Sequence, residues 1–185
     1  MLDSRELVIG VTGGIAAYKT AALVSGLVQK GARVTVVMTE AARQFVGAST
    51  FEALTSRPVV TQTFHDADYP LGAHISLAER GALLCVAPAT ANFLAKTAHG
   101  LADDLLSTLV LSFTGPIVVA PAMNCEMWEK PAVARNVATL RQDGFVMVDP
   151  EEGWLSCRRR GVGRMAAPER IQQVIVEQLS ATSMS

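Results

Sequence analysis

The chain alternates short runs of unbroken apolar residues with longer Ala- and Leu-rich stretches of helical spacing. Leu7 to Val11, Arg33 to Met38, Leu83 to Ala87, Ile117 to Ala120 and Phe145 to Val148 read as strands, the third and fourth stopped by Pro88 and Pro121. Ile15 to Lys30, Ala41 to Leu54, Asn92 to Phe113 and Pro131 to Gln142 read as helices between them. Gly31 and Gly144 act as stops, Gly47 and Ser49 weaken the second stretch, and Gly100 divides the third. Gly153 to Arg164, rich in Gly and Arg, reads as a loop. Pro168 to Leu179 is a closing helix, and the tail from about residue 180 is expected to fray. Strands apolar at every position and separated by helices imply a parallel sheet covered on both faces. The fold expected is α/β, a three-layer doubly wound parallel sheet of Rossmann-like or flavodoxin-like type. Its ligand groups should lie beyond the carboxyl ends of the strands.

A length of 185 residues suits one domain, taken as residues 1–185. With 50% hydrophobic and 18% charged residues, disorder is excluded. Sixteen Lys and Arg balance seventeen Asp and Glu, so no general attraction to nucleic acid or an anionic membrane is expected. Three cysteines without framework spacing indicate a reducing, cytoplasmic compartment. The opening MLDSREL is not a signal peptide, and the most apolar stretch, Ala82 to Ala95, is interrupted by Pro88 and Asn92. It falls short of the roughly 20 residues of a membrane helix. No His, Cys or Asp cluster has metal-ligand spacing, so no metal is expected. The composition is nonetheless unusually apolar and Ala-rich for a small soluble monomer.

The chemistry should sit in four strand-end loops. Gly13-Gly14 follows a strand and opens a helix, which suits either a phosphate seat or a tight turn. The adjacent glycines fit neither a Walker A loop, for which Lys19 lies too far into the helix, nor G-x-G-x-x-G. Glu40, ending the second strand, keeps a ribose-binding role and NAD(P) open. Thr39, Thr90 and Asn92 suit ligand contact or helix capping, the two readings standing about even for Thr39 and Thr90. The loops at Pro88 to Asn92 and Pro121 to Asn124 share one logic, small residues admitting a flat group and an Asn offering donor and acceptor. Together they suggest a planar heteroaromatic ligand such as a flavin. Cys85 lies in a strand and reads as core, and His65, His74 and His99 read as structural or catalytic. Cys157 stands among Arg158, Arg159, Arg160 and Arg164, a setting that favours thiolate or proton-transfer roles. An incidental Cys in a basic surface loop is the other reading.

Several motifs in order carry a resemblance over about Val8 to Ile171. They are V-T-G-G-I-A-A-Y-K from Val11, M-T-E-A-A from Met38, H-I-S-L-A from His74 and A-P-A-T-A-N from Ala87. A-D-D-L-L-S-T from Ala102, P-A-M-N-C-E-M-W from Pro121 and C-R-R-R-G-V-G-R-M from Cys157 follow. In these the chain resembles the flavin-containing cysteine decarboxylases, and within them the branch acting on 4′-phosphopantothenoylcysteine in coenzyme A biosynthesis. The resemblance implies FMN, with its phosphate on Gly13, Gly14 and Ile15, a further contact on Thr39, and ring-side contacts on Thr90, Ala91, Asn92, Phe93 and Ala122. Ser107 falls where the family often places another flavin contact. The family's catalytic His matches His74, its substrate-clamping Asn matches Asn124 with Met127 nearby, and its proton-donating Cys matches Cys157. Trp154, Leu155 and Ser156 match a flap over the substrate.

The implied reaction oxidises the thiol carbon to a thioaldehyde, loses CO2 to an enethiolate, and is completed by hydride return with a proton from Cys157. Relatives acting on a peptide C-terminal cysteine stop at the enethiol and do not need that Cys. A peptidyl-cysteine decarboxylase and a non-catalytic regulatory flavoprotein are the alternatives. Two departures stand out. Glu79-Arg80-Gly81-Ala82 replaces the usual Arg-Trp-Ala-Asp, and Arg158-Arg159 replaces the usual Gly-Asp after the Cys. Members assemble as homotrimers or larger arrays such as dodecamers, with cofactor and substrate at subunit contacts, which would account for the apolar composition. Many bacterial relatives carry a fused synthetase, here expected on another polypeptide.

Overall fold

A computed structural model describes residues 2, 4–63, 69 and 72–182. Five strands form one parallel sheet: β1 (Glu6–Val11), β2 (Arg33–Met38), β3 (Leu83–Ala89), β4 (Ile117–Pro121) and β5 (Val146–Met147). Their order is β2-β1-β3-β4-β5, with β1 bonded in register to β2 on one side and β3 on the other. The chain therefore winds outward in both directions from the gap between β1 and β3, the flavodoxin-like arrangement in which a crevice opens at that switch point.

Alternation along the strands assigns the two helical layers. Leu7, Ile9 and Val11 of β1 face α1 (Ala17–Gln29), α2 (Ala48–Thr55) and α8 (Pro168–Thr182), in a core that includes Leu23, Leu27, Phe51 and Ile175. Val8 faces the opposite layer of α3 (Ala73–Arg80), α4 (Ala91–Ala98), α5 (Leu105–Ser112) and α7 (Pro131–Gln142), packed on Leu94, Leu106, Leu109 and Leu140. Gly10 lets α5 close on the sheet, since a Cβ there would stand 2.6 Å from Leu106 Cδ1. Cys85 is fully buried in β3, where burial pushes its thiol up to about 12. No helix of the described residues is long and apolar enough to cross a membrane.

The structure departs from the sequence reading at four places. Residues 41–54 divide into a 3-10 turn, Glu40–Gln44, and α2, with Gly47 as the residue preceding the second helix. The stretch 92–113 divides at Gly100 as expected, into α4 and α5, with Gly100 at φ +67° between them. β3 runs past Pro88 to Ala89, with its register to β4 shifting between Val86 and Ala89. Helices at α3 and α6 (Cys125–Trp128) were not legible as periodic patterns, being eight and four residues long. Gly153 to Arg164 is no loop: β6 (Glu151–Trp154) and β7 (Arg160–Arg164) pair as an antiparallel hairpin. Its glycines serve close approach instead of flexibility. A Cβ on Gly163 would stand 2.3 Å from Met123 O, and one on Gly161 would stand 2.9 Å from Cys125 Cβ. The closing helix continues to Thr182; residues 183–185, the rest of the expected frayed tail, and His65 lie outside the described residues.

The crevice is held open at a set width by one buried side chain. Thr12, at the end of β1, donates from Oγ1 to Pro88 O at 2.6 Å and accepts from Thr90 N–H at 3.0 Å. Thr12→Val keeps the shape, leaves Thr90 N–H unpaired and reduces Pro88 O to its 3.3 Å bond from the backbone N–H of residue 12, a change expected to cost about 1–3 kcal/mol. Urea denaturation checks this; an unchanged midpoint would show that the strand ends hold their spacing without the bond.

Candidate active-site cavity

The carboxyl ends of β1, β2, β3 and β4 surround a cavity of about 840 Å³, within the range of small-molecule sites. On the β1 side it is lined by Gly13, Gly14, Ile15 and Ala16. Among the described residues, the backbone amides of Gly13, Ile15 and Ala16 find no intramolecular acceptor, whereas Gly14 N–H is turned back onto Thr12 O at 2.9 Å. Free amides at the start of α1 are what a phosphate requires. Gly13 is also fixed by packing, because a Cβ there would stand 2.4 Å from Ala41 Cβ and 2.9 Å from the Ala41 carbonyl carbon. Free amides suited to an anion and a tight turn thus coincide at this pair.

Thr39 and Thr90 likewise do two things. Each lines the cavity and caps a following helix, accepting from Ala42 N–H and Phe93 N–H respectively, both at 3.3 Å. A capping hydroxyl accepts with its oxygen and keeps its own hydrogen to donate. Ala91, Asn92, Phe93 and Ala122 continue the wall from the ends of β3 and β4.

At the far side, the β4 loop and the hairpin tip meet. Asn124 Oδ1 accepts from Glu126 N–H at 2.7 Å, which orients the amide so that Nδ2 donates to Cys157 Sγ at 3.1 Å. Met127 and the hairpin residues Trp154, Leu155 and Ser156 complete that wall; Leu155 is buried and Trp154 is 68% exposed. The hairpin is pinned to the same loop by Met123 N–H to Gly163 O at 2.9 Å.

Two of the residues singled out in the sequence stand apart. Ser107 is buried beneath the cavity, its hydroxyl bonded to Asp104 Oδ1 at 2.9 Å within the cap of α5. His74 lies on α3, outside the wall of its own chain's cavity. Among the described residues its buried Nδ1 has no hydrogen-bond partner, and Gly72, at φ +96°, backs onto the ring, where a Cβ would stand 3.2 Å from Cε1. The adjacent surface is apolar and exposed at Ile75 on α3 and Leu111 on α5. His99, by contrast, is occupied locally, its Nδ1 at 2.8 Å from Ala95 O.

Several wall residues escaped the sequence reading. Lys19 lies one helical turn beyond Ile15 and contacts Met165 O at 3.2 Å. Burial, then Arg164, hold its ammonium below the ordinary lysine range, opposed by Glu151. Lys96 lies one turn beyond Asn92, its pKa raised first by the bond to Asp103 and also by Asp104. Asp104 is partly buried, which works against its charge, yet the Ser107 N–H and Lys96 hold it below the usual carboxylate range. Helical spacing, applied from the strand-end motifs, was the signal that could have found both lysines.

Against known proteins, residues 1–180 match the family described as Flavoprotein. The chain is 48% identical over 171 residues to the Coenzyme A biosynthesis bifunctional protein CoaBC of Bacillus subtilis, covering 92% of this chain and 42% of that protein. It therefore spans less than half the length of that relative. Among solved structures, the FMN-dependent cysteine decarboxylase SpaF superposes with a TM-score of 0.85 at 36% identity, over 99% of both chains. A cysteine-to-serine mutant of PPC decarboxylase complexed with pantothenoylaminoethenethiol gives 0.83 at 27% identity, over 94% of this chain and 97% of that one.

Acid should loosen the hairpin at its base. Glu151 accepts from Ala167 N–H at 3.0 Å and pairs with Arg164 at 2.9 Å. The Ala167 bond, then Arg164, lower its pKa against the opposing effect of burial. A lowered folded value means a stabilising contribution that is full above the unfolded value of about 4.3 and fades as pH falls through the folded one. Glu151→Gln is expected to melt below wild type at pH 6, with the gap closing towards pH 3. A gap constant across that range would contradict the assignment.

Proposed function

The chain belongs to the flavoprotein family, and from that premise we propose that it is an FMN-dependent decarboxylase of 4′-phosphopantothenoylcysteine, yielding 4′-phosphopantetheine in coenzyme A biosynthesis. In this reading residues 1–185 are one cytoplasmic decarboxylase domain. The observation that carries it is the meeting of Asn124 and Cys157, 3.1 Å apart, across a cavity whose opposite end offers free amides.

The cavity fits FMN. The amides of Gly13, Ile15 and Ala16 would hold its phosphate, with Lys19 adding positive potential from the same wall. Thr39 and Thr90 would donate the hydroxyl hydrogens that capping leaves free, and Ala91, Asn92, Phe93 and Ala122 would border the ring. Ser107 would act at one remove, by fixing Asp104 and through it Lys96. When bound, FMN supplies a reversible hydride acceptor, without which loss of CO2 would leave an unstabilised carbanion.

The protein's own groups then handle carboxylate and protons. Asn124 has two amide hydrogens; with one on Cys157, the other is available to the substrate carboxylate. A neutral donor fixes the carboxylate without the ground-state stabilisation that a cation would give. Cys157, at the tip of the flap formed with Trp154, Leu155 and Ser156, supplies the proton that completes the saturated thiol. Met127 packs along the substrate from the Asn124 side. His74 serves as base or charge partner, contributing about 10²–10⁴-fold to the rate. Because it lies outside its own cavity, beside exposed Ile75 and Leu111, the site is completed by a second copy, in a homotrimer or a larger array of trimers.

The likeness to SpaF favours a second reading, decarboxylation of a peptide C-terminal cysteine. Cys157 weighs against it, since an enzyme that stops at the enethiol has no use for a proton donor there.

Purified protein is expected to be yellow with FMN and to release CO2 from phosphopantothenoylcysteine; protein that cannot take up FMN would refute the proposal. His74→Asn and Cys157→Ser chains, each deficient alone in forming the saturated thiol, should regain part of that activity when co-expressed if the site is shared. Absence of any recovery in co-assembled chains would place His74 and Cys157 in one subunit.

A further inference from the structure

Two contacts join the start of α6 to the hairpin tip at equal spacing. Asn124 meets Cys157, and two residues on along both segments Glu126 forms an ion pair with Arg159. Arg159 also supplies the carbonyl that accepts Leu155 N–H at 2.8 Å, so it sits where the tip closes. The base of the hairpin is anchored independently, by Met123 N–H to Gly163 O and by the close approach of Gly161 and Gly163 to residues 123–125. Arg160 and Arg164 pair within the hairpin, with Glu152 and Glu151. Of the four arginines between 158 and 164, Arg159 is therefore the one whose ion pair crosses from the tip to the substrate-facing loop.

We infer that the Glu126–Arg159 pair is a latch that holds Cys157 in its proton-delivering position, making both residues positioning residues. The inference rests on the decarboxylase reading, because it acts through Cys157. In the step concerned, the C=C bond of the enethiolate opens as its sulfur forms a C=S bond. The Cys157 proton adds to the carbon that lost CO2, and Cys157 Sγ is left as thiolate. The resulting C=S carbon would accept the hydride that bound FMN supplies, giving the saturated thiolate. CO2 has left before this step, so the latch governs which product emerges and leaves decarboxylation itself largely unaffected. The ion pair is exposed, and pairs of that kind change an equilibrium by about two- to five-fold.

Two measurements test the latch. In apoprotein, the rate at which iodoacetamide alkylates Cys157, followed by peptide mass at fixed pH, is expected to rise about two- to five-fold in both Glu126→Gln and Arg159→Gln. A field effect alone would move the two variants in opposite directions, because one loses a negative charge and the other a positive one. In the FMN-loaded enzyme, both variants should shift product from saturated thiol towards enethiol by a similar factor while total CO2 stays within about two-fold of wild type. The exchange Glu126→Arg with Arg159→Glu should restore the wild-type ratio. Unchanged alkylation and product ratio in the single variants would overturn the latch, provided Cys157→Ser stalls at the enethiol. If Cys157→Ser still gives saturated thiol, the proton-donor assignment falls and the latch falls with it.

Discussion

The site depends on the parting of β1 and β3. Two parallel strands bonded to each other send their chains to opposite faces of the sheet, so the loops leaving their carboxyl ends diverge and a crevice must open between them. Thr12 bridges that divergence with two hydrogen bonds, and everything that could bind a ligand is referenced to it. The free amides of the β1–α1 turn stand on one side and the Thr90–Phe93 turn on the other. Ala41 presses against Gly13 from the 3-10 turn after β2. A substitution that moved either strand end would shift the anion seat and the flat wall relative to each other.

The second organising constraint is close backbone approach. The hairpin of β6 and β7 could not lie over the loop after β4 with side chains at Gly161 and Gly163. Once it does, Leu155 is buried and Cys157 is brought to Asn124. The segment that reads as flexible from its glycines is thus the one that places Cys157. Arg158, at φ +62° in the tip, occupies a conformation that glycine adopts more readily.

Much of this was legible in the sequence because it depends on local pattern. Unbroken apolar strands separated by amphipathic helices give the parallel sheet, and the motifs at the strand ends fall on the cavity wall. The hairpin was hidden because its residues do not alternate in polarity; its stability comes from contacts to residues some 35–40 positions earlier. Lys19, Lys96 and Asp104 were hidden because a wall position set by helical phase carries no motif of its own. His74 shows the opposite case. Its identity was read from the resemblance, but its place outside the cavity follows only from three-dimensional packing. Among the described residues its buried Nδ1 has no partner, and its neighbours Ile75 and Leu111 are exposed and apolar.

The most direct test of the central claim is the mass of the product formed from phosphopantothenoylcysteine by the purified, FMN-loaded protein. The result expected under the proposed function is 4′-phosphopantetheine, the saturated thiol, because the cavity sets the Cys157 thiol beside the Asn124 amide. A product two hydrogens lighter would contradict that role for Cys157 and favour the peptide-modifying reading, and no product at all would remove the decarboxylase assignment.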